Sequence, residues 1–155
     1  MKALIAMSGG VDSSVAAYQM LQEGYDCAGS TMRLCDEALL GTPLQEPYED
    51  ARKVAQGLGI PFFVMAQEAA FRQCVVEPFI SCYESGGTPN PCIYCNKHLK
   101  FGLFLEEALS KGFDCIATGH YAKILQDPED GRYLLYRAED RTKDQTYFLY
   151  SLTQH

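Results

Sequence analysis

Ser8, Gly9, Gly10, Asp12, Ser13 and Ser14 fall within seven residues, "SGGVDSS", directly after the apolar run "KALIAM". Adjacent glycines can take positive φ and bring backbone amides close to an anion. A helix opening just after them turns its positive end to the same place. Ser8, Ser13 and Ser14 add hydroxyl donors, and Asp12 offers a carboxylate to Mg²⁺ or to a loop amide. Walker-type loops close with Gly-Lys-Ser/Thr, the lysine serving the terminal phosphates. No lysine is present here, so the string predicts a phosphate site of another kind. The plainer alternative is a tight turn with Asp12 as helix N-cap. A complete "SGGVDSS" immediately after a strand is more specific than that alternative needs.

A second chemical cluster is "GGTPNPCIYCNKHLKFG". Cys95 precedes Asn96, a natural N-cap for a helix carrying Lys97 and Lys100. A thiol at a helix N-terminus beside a lysine is expected to have a lowered pKa and to be a good nucleophile. Cys92 completes a C-x-x-C pair. With His98 the pair is a partial zinc site, but no second pair has ribbon or finger spacing. A thioredoxin-like redox pair would need a different βα context, and two structural cysteines are a further alternative. Cys27 and Cys115 lie within strand patterns and are read as core. Seven cysteines at irregular spacing are expected to be reduced thiols rather than a secreted disulfide framework.

The elements that must hold these groups alternate. Strands are predicted at "KALIAM", "YDCAGSTM", "IPFFVMA" and "DCIATGH", and helices at "SSVAAYQMLQEG", "PYEDARKVAQGLG" and "NKHLKFGLFLEEALSKG". Apolar faces are expected from Ala17, Met20 and Leu21, from Ala51, Val54, Ala55 and Leu58, and from Phe101, Phe104, Leu105 and Ala108. Residues 33–46 read as a loop or excursion. A helix over "EAAFRQCVVEPFISCYES" is expected to break near Pro78, and "YAKILQ…GRYLLYR" reads as a hairpin. Alternating βα units imply an α/β fold with a doubly wound, Rossmann-like parallel sheet and ligands at the carboxyl ends of its strands. Residues 8–13, Met32 and Gly119–His120 all fall at those ends.

The 155 residues fit one domain, and no stretch reaches the ~18–20 apolar residues of a membrane span. The N-terminus is too short for a signal peptide before the glycine loop begins, which predicts a cytoplasmic protein. A net charge of −7 argues against a general nucleic-acid coat, although residues 96–143 carry 8 basic and 8 acidic residues, against 5 and 11 in residues 1–95.

The glycine loop resembles the pyrophosphate loop of the ATP pyrophosphatase superfamily, whose signature is SGGxDS. Such enzymes cleave ATP between the α and β phosphates and adenylate an oxygen, so no γ-phosphate lysine is needed. Together with "TPNPCIYCNKHLKFG", "ATGHYA" and "KDQTYFLYSL", the chain is similar over nearly its whole length to the tRNA-specific 2-thiouridylase family. That resemblance implies an adenine nucleotide alpha hydrolase-like fold and an ATP-dependent tRNA sulfurtransferase. ATP and Mg²⁺ would adenylate C2–O of the wobble uridine. Persulfide sulfur from a cysteine desulfurase or a sulfur-relay protein would then replace it. The resemblance implies ATP contacts at Ala6, Met7, Ser8, Gly9, Gly10, Val11, Asp12, Ser13, Met32 and Gly119. It implies tRNA contacts at Asn90, Pro91, Cys92, Lys143, Asp144 and Gln145, and catalytic roles for Asp12 and Cys95.

Two departures accompany it. Well-known bacterial members carry Asp at the position of Cys92, and the C-x-x-C variant admits an iron–sulfur cluster on Cys92, Cys95 and a third ligand. The family's second cysteine follows beyond "KDQTYFLYSLT", as do a central and a β-barrel domain. Residues 1–155 are therefore expected to be the N-terminal catalytic domain of a longer protein, unable alone to complete thiolation. Another ATP pyrophosphatase, or a non-catalytic adenine-nucleotide module, are the alternatives.

Overall fold

The computed structural model describes residues 1–35 and 48–154. Four strands, β1 (Lys2–Ala6), β2 (Asp26–Arg33), β3 (Phe62–Ala66) and β4 (Cys115–Ala117), form a parallel sheet in the order β3-β2-β1-β4. Helix α1 (Val11–Gln22) links β1 to β2, and α2 (Glu49–Gly57) precedes β3. Most of the excursion expected over 33–46 lies outside the described residues.

β1 is central and apolar because both of its faces are covered, as a buried parallel strand requires. Ala3 and Ile5 pack on one side with Ala17 of α1 and Ala51 and Ala55 of α2. Leu4 points the other way, into a cluster with Ala28, Met65, Phe104 and Ala108. Side chains alternating across one strand thus feed two cores, which is the doubly wound architecture the βα pattern predicts. Met20, Leu21, Val54 and Leu58 join the first cluster as expected.

Two long helical stretches follow β3, α3 (68–84) and α4 (91–110), and α4 covers the second face through Phe104 and Ala108. Pro78 does not break α3. Instead the turn before it, Arg72–Val76, widens to a π-helix and the chain continues helical through Glu77–Glu84. Proline removes one i→i−4 hydrogen bond and crowds the carbonyl four residues back, and a wider turn relieves that crowding. In α4, Cys95–Leu103 is also π-helical, and the last residues, Phe104–Ser110, are α-helical. Past β4, β5 (Lys123–Gln126) pairs antiparallel with β6 (Tyr133–Tyr136), the expected hairpin. Among the described residues no helix is long and apolar enough to cross a membrane.

Candidate functional site

In this strand order the chain moves to one side of β1 through β2 and returns on the other side at β4. The point where the order reverses lies between β1 and β4, and α/β sheets bind ligands there, outside the carboxyl ends of the strands. The loop after β1 and the loop after β4 meet at this point. Gly9 has φ +80°, and a Cβ there would stand 2.8 Å from Asp50 Cβ and 2.9 Å from Ala51 N. Gly119 permits a closer approach: a Cβ on it would lie 2.7 Å from Ser13 N and 2.8 Å from the Asp12 carbonyl carbon.

Gly10 does not use the positive φ that a glycine permits. It is the extended N-cap of α1, at φ −77° and ψ 161°. Asp12 is not the cap; it sits in the first turn of the helix. The serines are also divided. Ser13 Oγ donates to Gly10 O at 3.1 Å, and Ser14 Oγ donates to the same carbonyl at 2.8 Å. Both hydroxyls therefore shape the loop, and Ser8 N donates to Ser13 Oγ at 3.2 Å to close it.

A cleft of about 210 Å³ opens at the switch point. It gathers Ala6, Met7, Ser8, Asp12 and Ser13 with Met32 at the end of β2, Gly119 after β4, and Gln145. Gly9, Gly10 and Val11 stand outside its lining, with Val11 largely exposed. Five lining residues were not among the sequence candidates for nucleotide contact: Ser30, Lys100, Thr118, His120 and Gln145, the last expected on tRNA. Ser30 is fully buried on β2, and its Oγ has no hydrogen-bond partner among the described residues. An orphaned hydroxyl at a cleft wall is what a polar ligand would satisfy. Lys100 brings from α4 the cation that the glycine loop lacks.

Lys100 Nζ lies 3.4 Å from His120 Nε2, and His120 Nδ1 is 2.8 Å from Thr118 Oγ1. A protonated lysine donates to Nε2, which assigns the imidazole proton to Nδ1 and makes Thr118 Oγ1 its acceptor. Burial, and secondarily the Lys100 charge, push the His120 pKa down to about 4. Between that value and the ordinary 6.5, the unfolded chain binds a proton that the folded chain refuses, so stability rises with pH in this window. Thermal melts are expected to show Tm falling as pH drops from 6.5 toward 4, and His120→Gln is expected to flatten that slope. An unchanged slope would assign the acid sensitivity elsewhere.

The thiol helix begins earlier than expected. Asn90, not Asn96, is the N-cap: its Oδ1 accepts from Cys92 N at 3.2 Å, and Pro91 occupies the first helical position. Asn96 is buried within α4 and donates from Nδ2 to Phe148 O at 3.2 Å. Cys95 consequently sits inside the helix. Its pKa is raised, not lowered: burial raises it most, Lys100 pulls it back down, and Cys92 adds to the rise. Cys92 is the exposed thiol, within the first turn. Mass-spectrometric alkylation at neutral pH should therefore modify Cys92 well before Cys95, with buried Cys27 slowest. Labelling that puts Cys95 first would overturn this order. Burial also raises the Cys27 and Cys115 thiols. Among the described residues no three His, Cys, Asp or Glu side chains gather as a metal-holding group, so Cys92 and Cys95 have no third ligand there.

Of the segment 143–145, Gln145 reaches the cleft. Asp144 uses both carboxylate oxygens locally, accepting from Ala138 N and from Thr146 Oγ1 at 2.8 Å each. The Ala138 amide, then the Thr146 hydroxyl, hold its pKa below the usual range.

Residues 1–155 match the tRNA methyl transferase HUP domain family end to end. The chain belongs to this family. A protein named tRNA-specific 2-thiouridylase MnmA from Clostridium botulinum is 51% identical over 159 residues. Its namesake from Clostridioides difficile is 51% identical over 158 residues. In both pairings 99% of this chain is covered and 44% of the relative, so the chain spans less than half the length of these HUP-domain relatives. Two solved structures share the fold. A predicted subunit of tRNA methyltransferase from Methanocaldococcus jannaschii has a TM-score of 0.54 at 22% identity, covering 78% of this chain and 53% of its own. The U34-tRNA thiolase NcsA from Methanococcus maripaludis, solved with its [4Fe-4S] cluster, has a TM-score of 0.53 at 19% identity, covering 78% and 38%. The expected adenine nucleotide alpha hydrolase-like sheet is thus the fold of this family.

Proposed function

We propose that this HUP domain binds ATP in the switch-point cleft, adenylates C2–O of the wobble uridine of tRNA and supports its conversion to 2-thiouridine. The observation that carries the reading is the convergence, in one cleft, of Ser8, Asp12 and Ser13 from the glycine loop with Met32, Gly119 and the Lys100 cation. Relatives named tRNA-specific 2-thiouridylase at 51% identity support the choice of substrate. Ser30 and Met32 would face the nucleoside end, and the loop amides at the start of α1 would hold the departing pyrophosphate. Asp12 suits the single-carboxylate contact of a Mg²⁺ ion whose other ligands are phosphate oxygens, and such an ion would offset charge on the leaving group.

In the first step the uridine C2 oxygen attacks the α-phosphorus and pyrophosphate leaves. In the second, the terminal sulfur of a persulfide forms a bond to C2 and AMP departs with the former oxygen. A second thiol then attacks the inner sulfur, closing a disulfide and releasing 2-thiouridine. Cys95 would carry the persulfide or resolve it, with Asn90, Pro91 and Cys92 beside the target base and residues 143–145 on the tRNA. A desulfurase or relay protein would supply the sulfur. Cys92 and Cys95 would supply two ligands of a cluster, and among the described residues no third gathers with them. Exchange of labelled pyrophosphate into ATP tests the reading. Exchange that depends on tRNA is expected; nucleotide binding without exchange would favour a non-catalytic adenine-nucleotide module.

A further inference from the structure

Tyr121 joins two parts of the chain that the proposed reaction must coordinate. Its phenol donates to Asp12 Oδ1 at 2.6 Å, across 109 positions of sequence. Among the described residues this is the one side-chain hydrogen bond Asp12 makes. The backbone of Tyr121 is clamped from the other side: its N donates to Gln145 Oε1 at 2.9 Å, and Gln145 N donates to its carbonyl at 3.0 Å. Lys143 Nζ stands over the tyrosine ring, 5.3 Å from the centroid. One residue thus touches the glycine-loop carboxylate, the cation of the 143–145 segment and the glutamine at the cleft.

We propose that Tyr121 is a positioning residue that fixes the Asp12 carboxylate and makes it respond to engagement of Lys143 by an RNA phosphate. A lysine over an aromatic ring at an exposed site is held by only ~0.5–1 kcal/mol. A phosphate forms a charge-assisted contact, so it can draw the ammonium away from the ring. That move, together with any displacement of Gln145, acts on the clamped tyrosine and through its hydroxyl on Asp12. The phenol is held protonated in this arrangement, first by its hydrogen bond to Asp12 and then by burial and the nearby carboxylate charge. The donor is therefore in place throughout the neutral range.

This inference rests on the adenylation reading of the loop, and two measurements keep the two apart. The first is pyrophosphate release from ATP with and without an anticodon stem–loop RNA bearing a wobble uridine. In Tyr121→Phe, which keeps the ring under Lys143 but loses the hydroxyl, RNA stimulation is expected to fall at least ten-fold, with ATP half-saturation changed less than two-fold. Full stimulation in Tyr121→Phe would overturn the inference. The second needs no turnover: the ¹³Cζ resonance of Tyr121, identified by its loss in Tyr121→Phe, is followed as the same RNA is added. It is expected to shift, and Lys143→Met is expected to remove the shift. If pyrophosphate is never released but the resonance moves with RNA, adenylation fails and the linkage stands. An unmoved resonance at saturating RNA overturns the linkage whatever the chemistry does.

Discussion

Gly119→Ala is expected to weaken ATP binding by this HUP domain more than ten-fold and to lower its melting temperature. The added Cβ would meet Ser13 N at 2.7 Å, the Asp12 carbonyl carbon at 2.8 Å and the Asp12 oxygen at 3.0 Å. All three are backbone atoms, so no side-chain rotation can make room. The exit of β4 must back away from the first turn of α1. Overpacking of this kind costs about 1–3 kcal/mol. The same shift moves the amides and carboxylate that the loop presents, and hydrogen bonds weaken steeply once distance and angle drift. Gly10→Ala is the informative comparison. Its φ is ordinary, and a Cβ there meets only Ser8 Oγ at 3.5 Å. The melting temperature of Gly10→Ala should match that of the unmodified chain, and any affinity it loses reports how closely the ligand approaches. Calorimetric titration showing unchanged ATP affinity in Gly119→Ala would remove the cleft from nucleotide binding.

Lys100→Met should produce the second large effect, through three separable readouts. Losing a charge-assisted phosphate contact costs about 1.5–3 kcal/mol, so ATP affinity is expected to fall roughly 10- to 100-fold. Lys100 also helps hold the His120 pKa down, so His120 should titrate above about 4 in the variant. It opposes the rise at Cys95, so the pH at which Cys95 alkylates should move further up. An affinity loss without the two titration changes would mean that Lys100 reaches the ligand but not the thiol or the imidazole.

The sheet was legible because its signals are local and repeated. "KALIA" is apolar throughout, as a strand covered on both faces must be, and the helices between strands show their buried residues at regular spacing. Met32 and Gly119 could be placed beside the glycine loop because parallel strands deliver all their carboxyl ends to one edge. The start of α4 was missed although its signal is present: Asn-Pro, an N-cap followed by proline at the first helical position, stands at Asn90–Pro91. The neighbouring prolines and glycines made the whole stretch read as loop, and Asn96 offered a second cap. With the start misplaced by six residues, Cys95 acquired a helix-end thiolate that it does not have. Ser30 carried no local signal, and although His120 was placed at a strand exit and Lys100 on the thiol helix, nothing in the sequence brought those two together. Their meeting is created by the fold, which sets α4 against the exit of β4.

The π-helical run Cys95–Leu103 changes which residues of α4 are neighbours. In an α-helix, side chains three or four positions apart share a face. Where hydrogen bonds run from i to i+5 the turn is wider, and residues five apart come to share a face along with those four apart. Cys95 and Lys100 are separated by five. Their electrostatic pairing is thus a property of helical winding as much as of composition. Deleting one residue between them, with the run tightening to ordinary α-winding, would leave cysteine and lysine four apart and again aligned. The pairing would therefore survive the loss of one residue from the helix. Alignments there should tolerate a gap of one, and substitution of the lysine should be the rarer event.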